Sequence, residues 1–275
     1  MNPSTALLIS AFLHASWNAV VKHSKDPELA LLRILGTATG IAVVSAALIE
    51  TFRAPQIFLL WAIGAGLFEA GYMYSLAKAL AKSGLGMSYA VMRGGAMILV
   101  WLFALLVLGQ KIGKTELIGS VFILAGLALV TGKKDSGQTA KQYNWAYFAA
   151  ACIAGYHLCY GKALAAQNQP YFLFAISLIV SVPIFIFLSK RKLFELIKFE
   201  HRADFVSGVG GGILCAASFL IFLVGLKNSG AGLAISLRNT SIIFAQLYAV
   251  ILGERPSLVQ WIGLATISLG AVMLV

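Results

Sequence analysis

Charge is what this chain has least of. Asp, Glu, Lys and Arg make up 11% of its 275 residues, where a soluble globular domain carries about 25%. Carboxylates are the scarcer sign: 10 Asp and Glu stand against 21 Lys and Arg, for a formal net charge of +11. That surplus does not point to nucleic acid, because the basic residues sit in short links between apolar runs, where the positive-inside rule places them. Cysteine is sparse too. Cys152, Cys159 and Cys215 lie inside apolar runs without metal-ligand spacing, which excludes a disulfide framework. No H-E-x-x-H, paired-aspartate spacing or nucleophile elbow occurs, so no metal, cofactor or enzymatic centre is expected. Long polar stretches are missing as well, and with them any soluble domain. The N-terminal MNPSTALLIS lacks the basic segment of a signal peptide and reads as the start of a retained membrane helix.

Apolar residues are abundant, at 60%, and they come in runs near the roughly 20 residues that cross a bilayer as a helix. Ten such runs are expected, at 3–22, 29–50, 57–77, 86–108, 115–132, 145–163, 171–189, 205–226, 232–252 and 257–275. They divide the chain into a five-helix repeat (1–132), a connecting loop (133–144) and a second five-helix repeat (145–275). Residues 83–130 and 229–275 carry the same punctuation. Ser83-Gly84 answers to Ser229-Gly230, Arg93 to Arg238, and Leu108-Gly109 to Leu252-Gly253; Ile118-Gly119, Ile123 and Gly126 answer to Ile262-Gly263, Ile267 and Gly270. Matched Gly, Arg and Ser-Gly positions arise by chance far less readily than matched Leu or Val, so this is an internal repeat.

Five helices per half is an odd number, so the second half enters the membrane from the opposite side. The expected fold is all-α: ten transmembrane helices as two inverted five-helix repeats, with a substrate site between them. The links on one side carry thirteen Lys and Arg, among them Lys22, Lys25, Lys82, Lys190, Arg191, Lys192, Lys198 and Arg202. Those on the other carry five: Arg53, Lys111, Lys114, Lys162 and Lys227. The first side should face the cytoplasm, leaving both termini outside. Gly36/Gly40 and Gly208/Gly212 have the GxxxG spacing of close helix packing.

An ionisable residue inside a membrane helix needs a reason. His14, Trp17, Asn18 and Val21 fall on one helix face. Further polar sets are Tyr156, His157 and Tyr160; Tyr89 and Arg93; Arg238, Asn239 and Gln246; Glu69 and Tyr72; and Arg33 and Thr37. They suggest a polar, aromatic-lined cavity with His14, Trp17, Asn18, Tyr72, Tyr89, Arg93, Tyr156, His157, Tyr160, Arg238 and Asn239 as substrate-binding candidates. Arg33, close to a helix end, is expected to snorkel. Inversion would put Arg93 and Arg238 on opposite sides of the midplane. Glu69 is a candidate for proton coupling or for pairing with an arginine. Three deep Arg and two His against one Glu favour an anionic or zwitterionic cargo, such as an amino acid, over a lipophilic cation.

The segments HASWNAVVKHS (14–24), MRGGAMILVWLFALLVLGQK (92–111) and LRNTSIIFAQLYAVILGER (237–255) resemble the EamA-type transporters of the drug/metabolite transporter superfamily, and the resemblance spans the whole length. It implies ten helices in two inverted repeats, a central cavity, export or exchange of small metabolites by alternating access, and a place in the cell membrane, for a bacterium the inner one. It also implies cytoplasmic termini, against the charge count. Trp17 and Asn18 match the family's tryptophan-containing stretch, Arg93 and Arg238 its recurrent arginines, and Glu254 the acid of its Gly-Glu pair, where the first repeat has Gln110. The expected partners are a small-molecule substrate, the lipid bilayer and protons. One chain supplies both repeats, so a monomer suffices. A multidrug or cation exporter and a non-transporting accessory subunit are the alternatives.

Overall fold

The computed structural model describes residues 2–106, 113–132, 143–199, 201–229 and 231–273. Gln110, Lys111 and nearly all of the expected connecting loop lie outside the described residues. Within them the chain is helical and contains no strand. The helices are α1 (Pro3–His23), α2 (Pro27–Ile49), α3 (Gln56–Lys82), α4 (Leu85–Leu106), α5 (Lys114–Gly132), α6 (Asn144–Ala166), α7 (Pro170–Ser189), α8 (Arg202–Ser229), α9 (Ala231–Asn239), α10 (Ser241–Ile251) and α11 (Leu258–Met273). A short 3-10 turn, Leu193–Leu196, lies between α7 and α8. Among the described residues, α1, α2, α3, α4, α7 and α8 are long and apolar enough to cross a membrane, and α5 and α11 hold shorter apolar stretches.

Local signals set the helix ends. Asn2 and Asp26 accept from the N–H groups of Ser4 and Leu29, each at 3.0 Å, and Pro3 and Pro27 open the helices they cap. Lys190 closes α7 in the left-handed region at φ 55°. The run expected at 232–252 is two helices rather than one, parted at Thr240. There the Thr240 hydroxyl takes the Leu237 carbonyl at 2.6 Å, a side-chain bond that competes with the helix ladder.

α3 packs on α6 and α7, α8 on α1 and α2, α4 on α6, and α9 and α10 on α1; α2 meets α7, α4 meets α10 and α5 meets α11. At the last of these the backbones touch. A Cβ on Gly126 would lie 2.6 Å from the Gly263 carbonyl oxygen, and one on Gly119 2.8 Å from that of Gly270. These pairings make α5 and α11 antiparallel. Gly208 and Gly212 of α8 likewise meet Arg33 and Thr37 of α2. The expected Gly36/Gly40 pair is not a helix contact: Gly36 faces Leu196 in the link after α7, and nothing lies within 4 Å of a Cβ on Gly40.

The links gather at two ends. At one, Lys22 donates to the Leu80 and Ser83 carbonyls at 2.9 and 2.8 Å, Arg191 pairs with Asp26 at 2.5 Å, and Glu254 accepts from Leu85 N–H at 2.5 Å. At the other, Glu50 accepts from Phe172 N–H at 2.9 Å, and Gln169 binds Thr51 and Arg53.

Candidate functional site

His14 is the centre of a buried cluster built by α1, α3, α4, α6, α7, α8 and α9. Spacing of four residues along α1 brings Ser10, His14 and Asn18 onto one face, with Trp17 beside them. Arg93, from the first half of α4, directs Nη2 at His14 Nε2. Arg238, in the last turn of α9, directs Nη2 at His14 Nδ1 at 2.9 Å, and Trp17 Nε1 approaches the same nitrogen at 3.2 Å. All four side chains are buried. The two arginines therefore share one imidazole, one at each ring nitrogen.

Donors outnumber acceptors here. Guanidinium and indole N–H groups only donate, while a neutral imidazole has one lone pair and one N–H of its own. Three donors face its two ring nitrogens, Trp17 and Arg238 at Nδ1 and Arg93 at Nε2, and only one of those nitrogens carries the lone pair. Arg238 Nη1 reaches two more acceptors, Ser10 Oγ at 2.6 Å and the Ser218 carbonyl at 2.9 Å. Its guanidinium lies over Phe219 and Phe222, 4.7 and 4.4 Å from their centroids, and Arg93 lies 5.6 Å from that of Tyr89. Among the described residues neither arginine has an acidic partner. Arg93 Nη1, Arg238 Nε and the hydroxyls of Tyr89 and Tyr156 are buried without a hydrogen-bond partner.

Glu69 is the cluster's carboxylate, and it pairs with a phenol rather than an arginine. Tyr160 donates to Oε1 at 2.6 Å and stands 3.3 Å from the Ser177 hydroxyl, while Oε2 has no partner. Tyr156 links the two parts: its ring is 5.7 Å from Tyr72, 4.6 Å from His157, 5.3 Å from Tyr160 and 6.4 Å from Phe219. His157 Nε2 is also without a partner. Asn18 is partly used by its own helix, its Nδ2 donating to the His14 carbonyl at 2.7 Å. Asn239, next to Arg238 in the chain, is buried, and its Nδ2 has no hydrogen-bond partner.

Arg33 stands apart, 3.5 Å from Asp204 and donating to the Lys198 carbonyl at 2.6 Å. Ser10, Ser177, Ser218, Phe219 and Phe222 belong to the cluster but were not among the sequence candidates. Ser10 could have been found four residues before His14; the others are hidden in apolar runs.

The EamA-like transporter family matches residues 141–275 of the chain. No curated protein matches it. Among solved structures 28 chains match; one crystal structure is similar over 98% of this chain and 96% of that one, with a TM-score of 0.67 and 20% sequence identity. That is a likeness of fold alone.

Proposed function

Since this chain belongs to the EamA-like transporter family, and so is a multi-pass membrane transporter of the drug/metabolite transporter superfamily, we propose that it exports a small anionic or zwitterionic metabolite across the cell membrane by alternating access. The observation that carries this is the donor surplus at His14: two guanidiniums and an indole facing a ring with one lone pair, with no acid in contact among the described residues. An uncompensated buried charge is costly. A cargo carboxylate between Arg93 and Arg238 would supply both the missing charge and the missing acceptors, and on this reading Glu69, with Oε2 unpartnered, carries a proton or meets a cargo amine.

The mechanism needs two halves that rock about the site, and we read them as inverted five-helix repeats, residues 1–132 and 145–275. Three observations support this. α5 and α11, which carry matching Gly and Ile residues, run antiparallel. Their contacts interchange under the repeat: Gly126 meets Ile267, and Gly270 meets Ile123. Exchanging α1 with α6, α2 with α7, α3 with α8 and α4 with α9–α10 turns each main pairing into another that is present: α3·α6 becomes α8·α1, α3·α7 becomes α8·α2, and α4·α6 becomes α9–α10·α1. One chain then holds both halves and acts as a monomer.

The test is a thermal-shift panel on purified protein in detergent, with small carboxylates, amino acids, phosphorylated metabolites and lipophilic cations. A ligand at about 100 times its Kd stabilises by roughly 2.7 kcal/mol. An acid or zwitterion raises Tm, and Arg93→Gln and Arg238→Gln each remove the rise while staying folded. Stabilisation by cations alone, or a rise that survives in both variants, overturns the reading. With the cargo identified, Glu69→Gln in liposomes keeps counterflow exchange and loses the response to a pH gradient; an unchanged response removes Glu69 as the proton carrier.

A further inference from the structure

A large cavity lies on the far side of α1 from the His14 cluster. Ser16, Ala19, Val20 and His23 line it, and at about 100° per residue they face away from His14, Trp17 and Val21. α8 forms one wall, from Arg202 to Leu214, and Tyr248 and Leu252 form the other. Its volume, about 1700 Å³, exceeds the roughly 300–1,000 Å³ of a small-molecule pocket. Val206 and Ile213, 59% and 52% exposed, leave it open sideways.

Two features say what fits it. The first is depth. From Arg202 to Leu214 the α8 wall runs about 18 Å, a little over half of the roughly 30 Å hydrocarbon core of a bilayer, so the groove is about one leaflet deep. The second is charge. The ionic groups gather at one end, and the acids there are matched: Asp204 with Arg33 at 3.5 Å, and Asp26 and Glu195 with Arg191 at 2.5 and 3.4 Å. Among the described residues Lys25 and Arg202, which line the same rim with His23 and His201, have no acidic partner. This is the end rich in Lys and Arg, where an anionic leaflet attracts basic residues.

We propose that the groove bounded by α1, α8 and α10 binds an anionic phospholipid, its phosphate held at Lys25 and Arg202 and one acyl chain laid along Ala19, Gly210 and Leu214. The site is separate from the cargo site and does not depend on the transport reading.

The test measures Tm in neutral-detergent micelles doped with phosphatidylglycerol or with phosphatidylcholine of the same chains, with inorganic phosphate as a third arm. Phosphatidylglycerol raises Tm above phosphatidylcholine, and phosphate alone does not. Lys25→Gln with Arg202→Gln lowers the phosphatidylglycerol effect to the phosphatidylcholine level. Gly210→Leu does the same through the chain: nothing lies within 4 Å of a Cβ there, so the new side chain fills the groove without strain and the lipid-free Tm holds. Equal Tm in the two lipids, a rise that survives both variants, or a rise given by phosphate alone each overturns the proposal.

Discussion

Hydrogen-bond chemistry separates the two halves of the buried cluster. Around His14 there are too many donors; around Glu69 one donor meets one carboxylate, with Tyr160 at 2.6 Å. Removing that single donor leaves a buried carboxylate oxygen without its partner, which costs about 1–3 kcal/mol, whereas replacing both partners by apolar groups is close to neutral. Tyr160→Phe therefore lowers stability by about that amount, and Tyr160→Phe with Glu69→Leu recovers most of it. Unfolding in detergent measures both, and an additive double variant means that the bond contributes nothing. The sequence made this cluster readable where a polar residue interrupts an apolar run: His14, Arg93, Arg238 and Glu69 each stand out. It could not show that both arginines meet one imidazole, because that depends on how α4 and α9 lean on α1. Phe219 and Phe222 carry no signal in an all-apolar helix, although they bear on the charge as much as any polar neighbour.

Helix positions were legible because twenty-residue apolar runs and their Pro, Asn and Asp caps are local. The break at Thr240 was not. The matching stretch of α4, Arg93-Gly94-Gly95, stays helical despite two glycines, while α9 ends at Asn239, beside Thr240, whose hydroxyl takes the Leu237 carbonyl. Glycine spacing was a weaker guide than glycine repetition. The GxxxG pair Gly36/Gly40 makes no helix contact, whereas the repeated Gly119, Gly126, Gly263 and Gly270 form the α5·α11 crossing, where each faces backbone. An added methyl there has nowhere to go. Gly126→Ala destabilises by about 1–3 kcal/mol, the usual cost of overpacking, and Gly40→Ala, in open space, leaves stability unchanged. Thermal unfolding of the two variants side by side gives the comparison; equal stability would mean that α5 and α11 separate without cost.

At the scale of the whole molecule the two ends differ in charge, and that difference bears on which one faces the cytoplasm. The end holding Lys22, Lys25, Lys82, Arg191, Lys192 and Arg202 has the surplus of basic residues, and the positive-inside rule turns it inward. The family resemblance implies cytoplasmic termini, which turns it outward. On the proposed inverted-repeat reading the packing is indifferent, since exchanging the two halves would preserve the main helix pairings and invert the molecule. The charges break that symmetry, so they set the orientation. Cys152, Cys159 and Cys215 are all buried, so a thiol introduced at an exposed position reports without a background. Arg53→Cys and Lys82→Cys place one at each end, both at exposed residues. A membrane-impermeant maleimide on intact cells labels Arg53→Cys at once and Lys82→Cys only after permeabilisation. The reverse pattern would show that the charge surplus does not set the orientation. It would also put the basic rim of the lipid groove in the outer leaflet, where the surface potential of the cytoplasmic leaflet could no longer help to fill it.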